Sequence, residues 1–488
     1  MMRTIKEYLR IGIAALALCL LTACAEQLKD VREVMELPAI YPDYTGVTIP
    51  ATLAPLNFSY DGPAERIDVV IEGTRGGKIH LQGKTARIPA AKWQSLLQQN
   101  KGGQLNVTVV AKFDDGWRRF VPFPIYISDA PIDYGLVYRL VAPGYEVYSQ
   151  MGIYERDLSS FSQKPLIENT LIASSCVNCH SFRQTDSEYV SLHVRGKQGG
   201  TVLKTNGETD ILDLKTAETL GRGVYPYWHP SGRFVAYSQN DTRQVFHARD
   251  DKRVEVFDLS SDLTVYDVVN NKILTSPLLS TPGFETYPAF SPDGQSLYFC
   301  LADFQNMPAA YTDVQYNLCR IAFDAETGRF GEQVDTLVCA AAMGKSVSFP
   351  RPSYDGKYIL YTLADYGNFS IWHKEADLWL LDLRTGENRP LTEVNSDDTE
   401  SYHSWSSNSR WFVFSSRRDD GLYTRLYLAS IDADGKVTKP FKLPQQDGRR
   451  QDPSFYSFNI PEFTAAPVEL DLREIERDLL SGKRRKAE

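Results

Sequence analysis

The stretch YPAFSPDGQSLYF at residues 287–299 decides how this chain is read. An aromatic–proline pair leads into Ser-Pro-Asp-Gly, whose proline and glycine set a tight turn. An alternating apolar strand follows. The same text recurs as YPYWHPSGRFVAY at 225–237, FPRPSYDGKYILY at 349–361 and YHSWSSNSRWFVF at 402–414. Pro226, Pro288 and Pro350 are spaced by 62 residues, and His403 takes the proline's place 53 residues further on. Strands such as VEVFDL, LWLLDL and LYLASID follow later in three of the units. A recurring multi-strand unit that cannot bury both faces of its own sheet points to radial packing of blades.

The repeat resembles that of the TolB-like β-propellers, most closely at 287–294 and more loosely in the other three copies, which together cover residues 223 to about 440. The resemblance implies an all-β propeller over 131–465. Of function it implies only that such propellers often bind ligands or proteins around a central opening. The first and last copies are degenerate. CHSF at 179–182 with EYVSL at 188–192 can be laid against the second copy, and DPSF at 452–455 begins a unit that runs out after one strand. A propeller joins its ends or leaves naked edges. Tyr134–Leu140 and Tyr145–Tyr154 are therefore expected to complete the last blade, giving six blades, with seven as the alternative.

Upstream the text changes. A basic start and a short apolar run end in Leu21-Thr22-Ala23-Cys24, which resembles the lipobox of bacterial lipoproteins. That resemblance implies a signal over 1–23, a lipidated Cys24, and a chain anchored to the cell envelope, most naturally the outer membrane. Residues 24–46 read as a tether with a short helix, LKDVREVM. Residues 47–130 alternate with period two and read as an immunoglobulin- or fibronectin-like β-sandwich interrupted by a helical AKWQSLLQQN. The end of the chain, 466–488, reads as a helix and a solvated basic tail. The formal net charge of −9 offers no positive footprint for nucleic acid.

One motif carries chemistry. SSCVNCHSF at 174–182 holds Cys176-x-x-Cys179-His180, the pattern of c-type cytochromes. Two thiols at that spacing meet the two haem vinyl groups while the adjacent imidazole reaches the iron. The reading implies one covalent haem c per chain on Cys176, Cys179 and His180, and a role in electron transfer or in redox or ligand sensing. A thioredoxin-like pair, a zinc clip and a plain disulfide are the rivals; the first wants a βαβ context and the second more ligands. For the sixth iron position, His403 is the candidate by register with His180, and Met343 is the runner-up. His80, His193 and His247 read as packed or surface groups, His229 as a turn or rim residue with iron ligation as the minor alternative, and His373 as a packed, surface or haem-edge group. Cys300, Cys319 and Cys339 read either as a Cys300–Cys319 bridge with one thiol over or as small buried residues. Ser291 and Asp293 belong to a turn, and no G-x-S-x-G or H-E-x-x-H occurs. Glu375, Asp377 and Asp382 form no recognisable dyad. Asp397-Asp398 and Arg417-Arg418-Asp419-Asp420 read as loop charges, with a Ca²⁺ or partner site as the minor alternative. The second function class is a non-catalytic binding or assembly scaffold of the envelope, with haem structural or absent.

Overall fold

Each copy of the repeat folds into the first two strands of a sheet, joined by its polar turn. In the copy at 287 these strands are Phe284–Phe290 and Ser296–Ala302. The turn closes with the Gly294 amide donating to the Ser291 carbonyl at 2.9 Å. It requires a left-handed residue, supplied by Gly232, Gly294 and Gly356 (φ +74°, +73° and +72°) and, in the last copy, by Ser409 (φ +57°). The computed structural model describes residues 30–142, 151–247, 252–448 and 455–488. Cys24, the leader and Tyr145–Gln150 lie outside the described residues.

The chain is mostly β. The first repeat sheet runs Cys176–Arg183, Asp186–Arg195, Gly200–Thr205 and Glu208–Asp213 from inside to outside. The second sheet starts at Val224–Trp228, the third at Phe284–Phe290, the fourth at Ser346–Pro352 and the fifth at Glu400–Trp405; each continues through three further strands. In the sixth the order is Ser457–Thr464, Gly135–Val141, Met151–Asp157 and Gln163–Glu168. The segment after the fifth sheet thus supplies the inner strand and the segment before the first sheet the outer three, pairing Gly135 with Thr464 and Leu136 with Phe463. Each of the six inner strands packs on the next, and the last packs on the first. The inner strands therefore form a closed ring. Closure by strands from the two sides of the repeats is the expected arrangement, but the bulge of the last inner strand falls at Ile460, before Pro461, and not at the DPSF of 452–455, and Gln163–Glu168 adds an outer strand that was not expected.

Three expectations fail outside this ring. The described part of LKDVREVM, from Asp30 on, is not a helix: Val31–Glu33 is a strand parallel to Gly116–Arg119, because an open sheet edge offers hydrogen bonds that an isolated short helix cannot match. The β-rich N-terminal unit therefore starts before residue 47. It consists of a seven-stranded and a three-stranded sheet with the expected helix at Ala90–Gln99, which buries Trp93, Leu96 and Leu97. The third failure is the basic tail. After helix Leu472–Ser481, capped by the Asp471 carboxylate, Arg485–Lys486 adds a parallel fifth strand to the first sheet. The Ile273 amide of the second sheet then donates to the Glu488 carbonyl at 2.7 Å, so the tail is a clip across two sheets.

The N-terminal unit and the ring share one core. Ile67, Val69, Trp93 and Val107 cluster with Trp411, Val413, Leu428 and Phe441 of the fifth sheet and Phe463 of the sixth. Polar contacts fasten the same seam: Lys442 donates to the Tyr41 hydroxyl at 2.6 Å and Ser59 to the Gly448 carbonyl at 3.0 Å. Among the described residues, no helix is long and apolar enough to cross a membrane.

Candidate functional site

Every inner strand bulges at one left-handed residue. These are Cys179, Tyr225, Tyr287, Phe349, Tyr402 and Ile460, with φ between +43° and +53°. Positive φ on bulky side chains is strained, at about 1–3 kcal/mol each, and is held here six times at the same register. Pairing slips at each of these bulges. The aromatic members stack around the axis: ring centroids lie 4.6 Å apart for Tyr225–Tyr287, 4.2 Å for Tyr287–Phe349 and 4.4 Å for Phe349–Tyr402. Cys179 and Ile460 are the two small members, and they leave a narrow funnel that Tyr225, Tyr287, Phe349 and Tyr402 also line. Arg351 lies in the same funnel, 3.6 Å from the Glu462 carboxylate. Burial raises the Glu462 pKa to about 7, against the pull of Arg351.

The residue after each bulge is proline in four sheets and histidine in two, His180 and His403. The two imidazoles behave alike. His180 Nε2 lies 3.3 Å from the Val137 carbonyl, and His403 Nε2 lies 2.9 Å from the Leu360 carbonyl. Val137 and Leu360 each belong to the second strand of the preceding sheet. Both rings are buried between sheets, and burial lowers their pKa values to about 4 and about 3. The expectation that His180 and His403 face one another across the axis is therefore corrected. They share a depth, as the register implies, but each reaches sideways to a neighbour's carbonyl. Met343, the runner-up, is 50% exposed at the end of a short 3-10 turn and lines neither the funnel nor the cleft described below.

The motif itself lies on an extended strand, Cys176–Arg183. Cys176 pairs with Arg195 and Asn178 with His193 before the bulge, so alternation puts Cys176 and Asn178 on one face. Cys179 lines the funnel and Cys176 does not. Both thiols are free. Burial pushes the Cys176 thiol up, despite Arg139 and Arg195 nearby, which is the opposite of an activated redox cysteine. In this conformation the residues do not fit a covalent haem: the two thiols do not converge on one cavity, and the imidazole Nε2 is engaged by a carbonyl. The buried, unpartnered Nδ1 of His180 does not argue otherwise, since His403 has the same orphan. Among the described residues, no group of three or more His, Cys, Asp or Glu is placed to hold a metal ion.

The other candidates resolve as packing. Phe299 pairs with Cys319 and Cys300 with Leu318, so Cys300 and Cys319 lie on opposite faces and form no bridge. His193 is not in a polar insertion; it sits in the strand Asp186–Arg195, 3.1 Å from the Thr201 hydroxyl. His229 bonds Ser231 in its own turn and the Gly294 carbonyl in the turn of the third sheet, and His80 pairs with Asp68 at 2.9 Å. Ser291 donates to Asp293 within its turn.

What the sequence did not reveal is a cleft of about 410 Å³ built from four sheets. The second sheet extends its middle hairpin, Phe234–Phe246 and Val254–Asp267, well beyond the others. A loop of the fourth sheet holds this hairpin: Glu255 accepts from Tyr366 at 2.6 Å and lies 3.2 Å from His373 Nε2, while Asp258 accepts from Asn368 at 2.6 Å. Burial lowers the His373 pKa, but the Glu255 and Glu375 carboxylates outweigh it and the net shift is upward. Phe246 and Val256 of the hairpin, Phe369 and Trp372 of the fourth sheet, Arg417 and Tyr423 of the fifth, and Arg139 and Asn459 of the sixth face one space. Asn459 precedes the ring residue Ile460, and Phe369 packs on Tyr402 at 6.4 Å, so the cleft stands at the mouth of the ring.

No protein-family model and no curated protein matches this chain. Among solved structures, prolyl oligopeptidase B from Galerina marginata is similar at 12% identity and a TM-score of 0.35, over 69% of this chain and 42% of that one. A DUF4784 family protein from Bacteroides caccae is similar at 10% identity and a TM-score of 0.31, over 74% of this chain and 97% of that one. This chain spans less than half the length of the oligopeptidase.

Proposed function

We propose that this chain is a six-bladed, TolB-like propeller, tethered to a bacterial envelope membrane through a lipidated Cys24, that binds a ligand at the mouth of its central ring and is not a hydrolase. The cleft carries this reading. Pockets of a few hundred to a thousand Å³ walled by aromatics with a few polar groups are where small ligands bind, and about 410 Å³ contributed by four sheets at the ring's mouth is such a site. A covalent haem c serving electron transfer or sensing is the second reading. The spacing of Cys176, Cys179 and His180 favours it, together with the partly exposed, reduced Cys176. It requires the strand at 176–183 to leave its present register.

One experiment separates the two readings: mass spectrometry of the chain matured in a host with haem-attachment machinery, under native and then denaturing conditions. The first reading expects acyl groups at Cys24 and a bound small molecule that denaturation releases and that Val256→Trp, which puts an indole into the cleft, excludes. A haem increment that survives denaturation, and vanishes in the Cys176→Ala/Cys179→Ala variant, hands the site to the second. A chain with no bound molecule in either state contradicts both.

A further inference from the structure

Arg417 is 2% exposed, yet its guanidinium has no hydrogen bond or ion pair among the described residues, and its Nε is buried without a partner. The nearest carboxylates, Asp398 and Asp420, act on Arg417 through space and oppose the effect of its burial, but neither accepts a hydrogen bond from it. Arg418, the next residue, pairs with Glu400 at 2.9 Å. Asp420 accepts from the amides of Leu422 and Tyr423, and Asp398 from that of Thr399. What holds Arg417 is the face of Trp372, 3.2 Å from guanidinium carbon to ring centroid. Burial lowers its pKa to about 9, so the group is still a cation at neutral pH.

Burying a guanidinium without a hydrogen-bond partner is unfavourable, and Arg417 keeps its guanidinium donors free of any partner among the described residues. Arg417 lines the cleft. So does Arg139, whose Nε is likewise buried and unpartnered while one of its terminal nitrogens donates to Asn178. Arg253 adds a third cation to the same wall. Between the cations stand Phe246, Phe369 and Tyr423. We propose that the cleft takes a small organic anion, an apolar or aromatic body carrying a carboxylate-like group, and that Arg417 pairs with that group. The planar fork of arginine matches a carboxylate with two parallel hydrogen bonds, and the aromatic wall takes the body. The proposal deepens the reading of the cleft as a ligand site and rests on it.

The test is a fluorescence titration of the full chain with 8-anilinonaphthalene-1-sulfonate, followed by displacement with 1-naphthoate or the neutral 1-naphthamide. Wild type binds the dye, naphthoate displaces it and naphthamide does not. Arg417→Gln weakens binding at least tenfold, and Val256→Trp abolishes it. Without ligand, Arg417→Met unfolds at a higher temperature than wild type, because the unpaired charge is gone. If Val256→Trp abolishes binding but Arg417→Gln leaves it unchanged, or naphthamide competes as well as naphthoate, the anion proposal is overturned while the cleft reading stands. Binding that survives Val256→Trp overturns both. A lower unfolding temperature for Arg417→Met shows a structural arginine and also overturns the proposal.

Discussion

His180 and His403 stand where four other inner strands have proline, and each replaces proline's stiffness with a bond to the preceding sheet. The consequence is acid sensitivity. Each folded imidazole is held neutral, with its pKa lowered to about 4 and about 3, whereas the unfolded chain titrates near 6.5. Between those values the unfolded state binds more protons, so the stability from these groups is present above about pH 6.5 and is lost as pH falls through the folded pKa. His403→Pro is expected to cost about 1 kcal/mol at pH 7.5, the net worth of one hydrogen bond, and to reduce the loss of stability between pH 6.5 and 4. Urea midpoints at the two ends of that range check it, and an unchanged acid loss would count against this account. The depth of His403 could be read from repeat register; the direction of its ring could not, because it depends on which carbonyl of a neighbouring sheet is left free. Arg417 was hidden for the same kind of reason. Arg-Arg-Asp-Asp at 417–420 reads as a solvated turn, and only packing shows that Arg418 finds a carboxylate while Arg417 finds an aromatic face.

Among the elements, the extended hairpin of the second sheet shapes the cleft, and its sequence concealed it. QNDTRQVF at 239–246 has no sustained alternation and reads as a polar insertion, yet it pairs residue by residue with 254–262. The fastening at Glu255 is what holds the hairpin over the ring. Glu255 is kept ionised, its carboxyl below the usual range because hydrogen bonds from His373 and Tyr366 outweigh its burial. Glu255→Gln replaces two charge-assisted bonds with neutral ones and should weaken the clasp by about 2 kcal/mol. Amide exchange should then quicken over 239–247 and 252–262 and stay unchanged in the strands of the fifth sheet. Uniform acceleration across the chain would show that the clasp supports the whole fold and is not a local fastening. The Ser-Pro-Asp-Gly turns, in contrast, were legible because their signal is local: a proline, an Asp and a glycine at fixed offsets set the backbone without help from tertiary contacts.

At the level of the whole molecule, the joining of the two chain ends followed from the repeat count, since a terminal unit with one strand must borrow the rest. The N-terminal strand Val31–Glu33 and the tail strand Arg485–Lys486 did not follow, because each is defined only by the sheet edge it meets. The central claim is that Cys179-His180 is the first sheet's version of the aromatic–proline pair, a ring position before it is anything else. Cys179 shares its left-handed backbone with Tyr225, Tyr287, Phe349, Tyr402 and Ile460, and His180 shares its place with Pro226, Pro288, Pro350, His403 and Pro461. Restoring the repeat should therefore be tolerated. The most direct measurement is thermal unfolding of the Cys179→Tyr/His180→Pro variant, followed by circular dichroism beside the wild type matured in the same haem-competent host. The account predicts a cooperative transition at or above the wild-type temperature, with the added ring filling the funnel and completing the aromatic circle. A fall of more than about 5 °C, a change that in a domain of 150–250 residues reflects well over 1 kcal/mol, or loss of cooperative unfolding, would contradict it and would mean that Cys179 and His180 are held for something other than their place in the ring.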